Sequence, residues 1–203
     1  VDYNAAAALF PLVGGTMTVS NLGVDNVYMD YECYASAFVG TGASGTSATI
    51  DSCYVGANVN IKAYAAGAFR GYSKDMSTNI SNCYSLANLN AQGGKHGLVS
   101  LVWGPLSISN SYNGNGPVLS DTNDYQVSLT DCYQTVNGGV NTGVTTLAAD
   151  KMKGADVFTA TDKMLHLNAN DKFVATEDFP VLKVFTDVGD EDDDDDDDQG
   201  GGT

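Results

Sequence analysis

The sequence predicts an all-β fold, a parallel β-helix finished by an atypical C-terminal cap. Three observations carry that expectation. A short unit, clearest at Asn79-Ile80-Ser81-Asn82-Cys83-Tyr84-Ser85-Leu86-Ala87-Asn88-Leu89, occurs again in altered form at 48–59, 106–113 and 128–135, with a degenerate first copy at 18–28. Spacing inside the unit is fixed, while spacing between units drifts. The unit alternates with the strand period and shows no helical period.

Leu22, Cys53, Cys83, Ser111 and Cys132 mark the zero position of each copy, and their successive separations are 31, 30, 28 and 21 residues. Three residues earlier stand Val19, Ile50, Ile80, Ile108 and Leu129, all large and aliphatic. Between the two positions lie Ser20-Asn21, Asp51-Ser52, Ser81-Asn82, Ser109-Asn110 and Thr130-Asp131, all small polar turn formers. Side chains of a straight strand alternate faces. Two core positions an odd number apart therefore require a bend, and the polar pair makes that corner. One coil per repeat would stack like on like at about 4.8 Å. It would form an aliphatic ladder at −3 and a cysteine/small ladder at zero. No coil buries its own face, so stability is a nearest-neighbour sum along the stack.

A second anchor lies fourteen residues after zero, at Ser36, Gly67 and Gly97. It opens the segments Ser36-Ala37-Phe38-Val39-Gly40, Gly67-Ala68-Phe69-Arg70-Gly71 and Gly97-Leu98-Val99-Ser100. These segments, with Ile80-Ser81-Asn82-Cys83-Tyr84 and Thr18-Val19-Ser20-Asn21-Leu22-Gly23-Val24, resemble the GLUG repeats of bacterial cell-surface proteins. The resemblance covers roughly residues 5–150 and departs where Arg70 and Ser100-Leu101 replace the usual Val-Gly. It implies a right-handed β-helix, an extracellular or surface location and an adhesin-like role.

Composition bounds the partners. The chain has 203 residues and a formal net charge of −16, much of it from the aspartate run near the C-terminus, with Arg70 its one arginine. Phosphate binding needs a basic face, so nucleic acid is not an expected partner. No apolar run is long enough to span a membrane. Cys53, Cys83 and Cys132 share one ladder, where parallel side chains stand farther apart than a disulfide allows. With Cys33 they are expected to be free thiols, acting as small apolar filler.

In chain order, residues 1–17 read as part of a coil whose first half is missing, leaving an end for upstream coils or another subunit. Coils follow at 18–47, 48–77, 78–105, 106–127 and 128–145, completing a β-helix over 1–145. Residues 146–186 are expected to cap the stack. The cap is read as a short helix over 146–153, N-capped by Thr145 or Thr146 and stopped at Gly154, then a strand over 176–185 broken by Pro180. Residues 187–203, with seven consecutive aspartates, read as an acidic disordered tail or linker.

The candidate binding residues are Tyr54, Tyr84, Tyr112 and Tyr133, at +1 of each later copy. An odd offset turns them away from the core. Such a ladder serves either as a platform for sugar rings or a protein, or as a stack supporting the coils. His96 and His166 have no partners at zinc spacing, and no His-Glu-x-x-His motif occurs, so neither metal nor cofactor is expected. Asp25, Asp30 and Asp51 are plausible surface acids, and paired acids can cleave glycosides. The expected function is a non-catalytic, adhesin-like module binding host or environmental glycan or protein along a face or through loops such as 40–47 and 93–97. The alternative is a fragment of a glycan-active β-helix enzyme.

Overall fold

The computed structural model describes residues 6–72, 75–120, 125–138 and 142–186. The acidic stretch expected as a linker lies outside them. The chain winds into a parallel β-helix of about four turns, its strands stacked in three sheets. The corner sheet stacks Thr16–Ser20, Ser47–Asp51, Ser77–Ser81, Leu106–Ser109 and Val127–Thr130. The tyrosine sheet stacks Gly23–Val24, Tyr54–Val55, Tyr84–Ser85, Tyr112–Asn113, Cys132–Gln134 and Val144–Thr146. The broad sheet is built around Asn60–Arg70 and Asn88–Val99, joined by Tyr28–Asp30, Tyr34–Ser36 and Val39–Gly42. Ala6–Ala7 and Phe10–Val13 pair with Tyr34–Ser36 and Val39–Gly42, so residues 6–13 are the broad-sheet part of a preceding coil.

The predicted ladders form in register. Val19 pairs with Ile50, Ile50 with Ile80, Ile80 with Ile108 and Ile108 with Leu129, all buried. Gly67 pairs with both Ser36 and Gly97, as the second anchor requires. The corner between −3 and zero has one backbone form throughout. The residue just before zero is left-handed in every coil: Asn21 (φ 54), Ser52 (φ 52), Asn82 (φ 51), Asn110 (φ 44) and Asp131 (φ 51). Four of the five are Asn or Asp, which tolerate this region because a short polar side chain bonds locally, and Ser52 is the exception. That is why the corner is spelled with these residues.

At the zero position the structure changes the expected role. Cys53, Cys83 and Cys132 are buried and unpaired, but they are more than apolar filler. The Cys53 amide donates to Cys83 Sγ at 3.4 Å, and the Cys83 amide donates to Ser111 Oγ at 3.0 Å. The four polar zero-position side chains also donate to the carbonyl two residues back: Cys53 to Asp51 at 3.2 Å, Cys83 to Ser81 at 3.0 Å, Ser111 to Ser109 at 2.7 Å and Cys132 to Thr130 at 3.4 Å. Each of these side chains thus pins its own corner, and Cys83 and Ser111 also cap an amide of the neighbouring coil. Serine and cysteine interchange here because both donate and accept. Cys83→Ser should accordingly change unfolding free energy by under about 1 kcal/mol, whereas Cys83→Val leaves the Cys53 amide unpaired and should cost about 1–3 kcal/mol. Urea unfolding of the two variants checks this, and equal losses would mean that volume alone matters.

The C-terminal segment departs from expectation. Val144–Thr146 is the last strand of the tyrosine sheet, not a helix start. The helical element is a single 3-10 turn, Ala149–Met152, with Ala148 before it and no side-chain cap. The expected strand over 176–185 reduces to Val181–Leu182, paired antiparallel with Phe173–Val174, followed by a 3-10 turn at Lys183–Phe185. From Met152 onward the segment packs along the outside of the tyrosine sheet. Met152, Val157, Met164, Leu167, Phe173 and Leu182 are buried there with Tyr84, Tyr112 and Tyr133. An outward aromatic ladder is a large apolar surface, and covering it is favourable.

Candidate functional site

The tyrosine ladder exists as spaced in the sequence. Tyr54 pairs with Tyr84, Tyr84 with Tyr112 and Tyr112 with Tyr133. The rings stack, Tyr54 on Tyr84 at 5.3 Å and 9°, and Tyr84 on Tyr112 at 5.1 Å and 4°. Gly23 holds this place in the first coil, where a Cβ would run into the Tyr54 ring. The rings turn away from the coil core as expected, but they do not face solvent. Tyr112 and Tyr133 are buried, Tyr84 is 6% exposed, and Tyr54 carries Phe185 edge-on at 4.9 Å. Tyr112 Oη donates to the Pro180 carbonyl at 2.5 Å, and the His166 amide donates to Tyr133 Oη at 2.9 Å. Burial pushes the Tyr84 and Tyr112 hydroxyls well above the usual tyrosine range. The ladder is the core of the coil–cap interface.

The candidate acids are separately engaged. Asp30 pairs with Lys62 at 2.8 Å. Asp25 accepts the Asn26 amide at 2.8 Å. Asp51 accepts Ser81 Oγ at 2.6 Å, Asn82 Nδ2 at 2.7 Å and Ser52 Oγ at 2.9 Å. Burial alone would raise the Asp51 carboxyl, but these three bonds and the nearby Lys172 outweigh it and hold the carboxyl below the usual value. A lowered folded pKa means the unfolded chain takes up its proton first. Asp51 therefore adds stability above the unfolded value of about 3.9, which is lost as pH falls through the folded value. Asp51→Asn should flatten this acid limb in thermal unfolding between neutral and low pH. An unchanged limb would show that other carboxylates set it.

The histidines lie apart in the fold, His96 at the broad-sheet edge with Nδ1 3.3 Å from the Gly94 carbonyl, His166 in the cap. No cluster of three or more His, Cys, Asp or Glu able to hold a metal occurs among the described residues. Burial pushes the Cys132 thiol up to about 12 and holds Cys83 well above its usual value, which makes both unreactive, whereas the hydrogen bond with Cys83 lowers Cys53.

A different aromatic row reaches the surface on the broad sheet. Tyr64 meets Tyr34 edge-on at 6.4 Å, Tyr34 stacks on Tyr72 at 4.7 Å and 14°, and Tyr72 tilts against Trp103 at 5.9 Å. Tyr34 and Tyr72 are under 10% exposed and form the base, while Tyr64 is 51% and Trp103 38% exposed at the two ends. Gly93 makes room for Tyr64, because a Cβ there would stand 2.8 Å from the ring. The row escapes a ladder-based reading, because its members sit at different offsets from their zero positions. The available signal was that Tyr72 and Trp103 close consecutive coils. Compared with family models, with curated proteins and with solved structures, the chain matches none.

Proposed function

We propose that the chain is a non-catalytic, adhesin-like β-helix module of the cell surface or extracellular space that holds a neutral glycan on the row Tyr64–Tyr34–Tyr72–Trp103. The carrying observation is the exposure of Tyr64 and Trp103 at either end of a row whose inner rings are fixed against the stack. One face of a pyranose ring is a patch of C–H bonds, and it stacks on an aromatic face. Aromatic side chains held in place lose little freedom on binding. The net charge of −16 works against an anionic glycan. The location rests on the resemblance to surface repeats.

The non-catalytic reading is supported by the acids. A glycosidase's general acid needs a raised pKa, and Asp51 is held low by committed hydrogen bonds. The reading also includes upstream coils or another subunit at the N-terminal end. Its support is that Met17, Leu22, Val24 and Met29 stay half-buried where their partners one coil on, Ala48, Cys53, Val55 and Ile61, are buried.

A glycan array probed with the full chain, beside Tyr64→Ala and Trp103→Ala variants, tests the reading. Each variant should weaken binding to a neutral glycan by about tenfold or more, equivalent to about 1.4 kcal/mol. Both should keep the wild-type melting temperature within a few degrees, since both rings are partly exposed. Unchanged binding by both variants would move recognition to another face and overturn the assignment.

A further inference from the structure

We propose that the depression on the outer face of the corner sheet is a second subsite for a neutral, polyhydroxylated ligand, continuous with the aromatic row through Trp103. This rests on the glycan reading and extends it to a longer chain. Outward residues of this sheet pair in register, so Thr18, Thr49, Asn79, Ser107 and Ser128 form one ladder. Part of the neighbouring row is used up internally, Asp51 taking hydrogen bonds from Ser81, Asn82 and Ser52. The ladder with Asn79, Ser107 and Ser128 is not. Where the coils shorten, the face sinks into a depression of ≈ 340 Å³ lined by Ser77, Asn79, Ser107, Gln126 and Ser128 over an apolar floor that includes Pro105. Among the described residues, none of those five polar side chains makes a hydrogen bond within the protein.

The chemistry is that of a sugar site. Hydroxyls and amides supply both donors and acceptors, no charged side chain lines the depression, and Pro105 offers an apolar surface. A phosphorylated ligand would meet no cation there. Rungs about 4.8 Å apart are comparable with the length of one pyranose residue. Trp103-Gly104-Pro105 connects the two surfaces, and the Trp103 carbonyl accepts the Asp75 amide at 2.5 Å, just before Ser77. A glycan stacked on Trp103 therefore has its next residues beside the depression.

The test is calorimetric titration of the full chain with disaccharide and hexasaccharide members of the β-1,4-glucan, β-1,3-glucan, β-1,4-mannan and β-1,4-xylan series. The wild type should bind a hexasaccharide at least about tenfold tighter than its disaccharide. An Asn79→Ala/Ser107→Ala double variant should lose that gain and keep disaccharide binding. A double variant that binds the hexasaccharide as the wild type does would overturn the subsite and leave the aromatic row standing. If Trp103→Ala leaves disaccharide binding unchanged while the double variant weakens the hexasaccharide, the row fails and the subsite stands. No binding of any of these sugars by the wild type overturns both.

Discussion

Tyr112→Ala should lower the unfolding free energy by about 3–5 kcal/mol, the range for removing a large aromatic from a closed site. Tyr112 is fully buried at the centre of the ladder, with Tyr84 stacked on one side and Phe173 and Phe179 each 6.1 Å away. The truncation removes the ring, ends the stack and orphans the Pro180 carbonyl, which accepts its hydroxyl. Tyr112→Phe keeps the ring and should cost only about 1 kcal/mol, the net worth of one hydrogen bond. Urea unfolding measures both. Hydrogen exchange adds a spatial readout. In the alanine variant, amides of the 149–185 segment should exchange faster than those of the Ile50–Ile80 rungs, because only the cap loses its anchor. Uniform acceleration would mean that the tyrosines support the coils and not the cap. There is a pH signature as well. The folded hydroxyl titrates above the unfolded value of about 10, so the unfolded chain loses its proton first and stability falls as pH rises past that value. Tyr112→Phe should fall less steeply.

What the sequence made legible is what repeats. Ile80 could be placed on Ile50 and Ile108 because the step from −3 to zero is the same in each copy, and a parallel stack turns equal offsets into contacts. The corner was legible for a related reason, since Asn82 and its equivalents are residue types that accept a left-handed backbone. The outward turn of Tyr84 followed from its odd offset. Its burial did not follow, because the cover comes from a segment without the repeat, which no offset can place. The hydrogen bonds of Cys83 were hidden because burial makes a thiol look like filler, and only the neighbouring coil reveals the amide it caps. Trp103 and Tyr64 were missed as a pair for the opposite reason. They join one row only through Tyr34 and Tyr72, at different offsets in neighbouring coils, so like-on-like stacking does not find them.

Arg70 marks the place where the chain breaks its own pattern, and its replacement should be the second large effect. The guanidinium is fully buried inside the stack. Nη1 donates to Thr78 Oγ1 at 2.5 Å and to the Met76 carbonyl at 3.5 Å, and Nη2 donates to the Leu101 carbonyl at 3.1 Å. Nε has no partner, and among the described residues no carboxylate pairs with the group. Burial pushes the pKa down to about 10, so the charge persists at neutral pH and stands against neutral acceptors only. Two opposed effects follow. Desolvating an unpaired charge is unfavourable, while the fork ties the junction of the second and third coils, through Met76 and Thr78, to the bend at Leu101. Arg70→Ala removes the ties and leaves a cavity, and should cost about 2–5 kcal/mol. Arg70→Met fills most of the volume and removes the charge, so it should cost clearly less than the alanine variant. The gap between them in urea unfolding measures packing, and what remains in Arg70→Met measures the fork. A near-neutral Arg70→Ala would show that relief of the buried charge cancels both, and that the arginine is tolerated where the repeat would take an apolar residue.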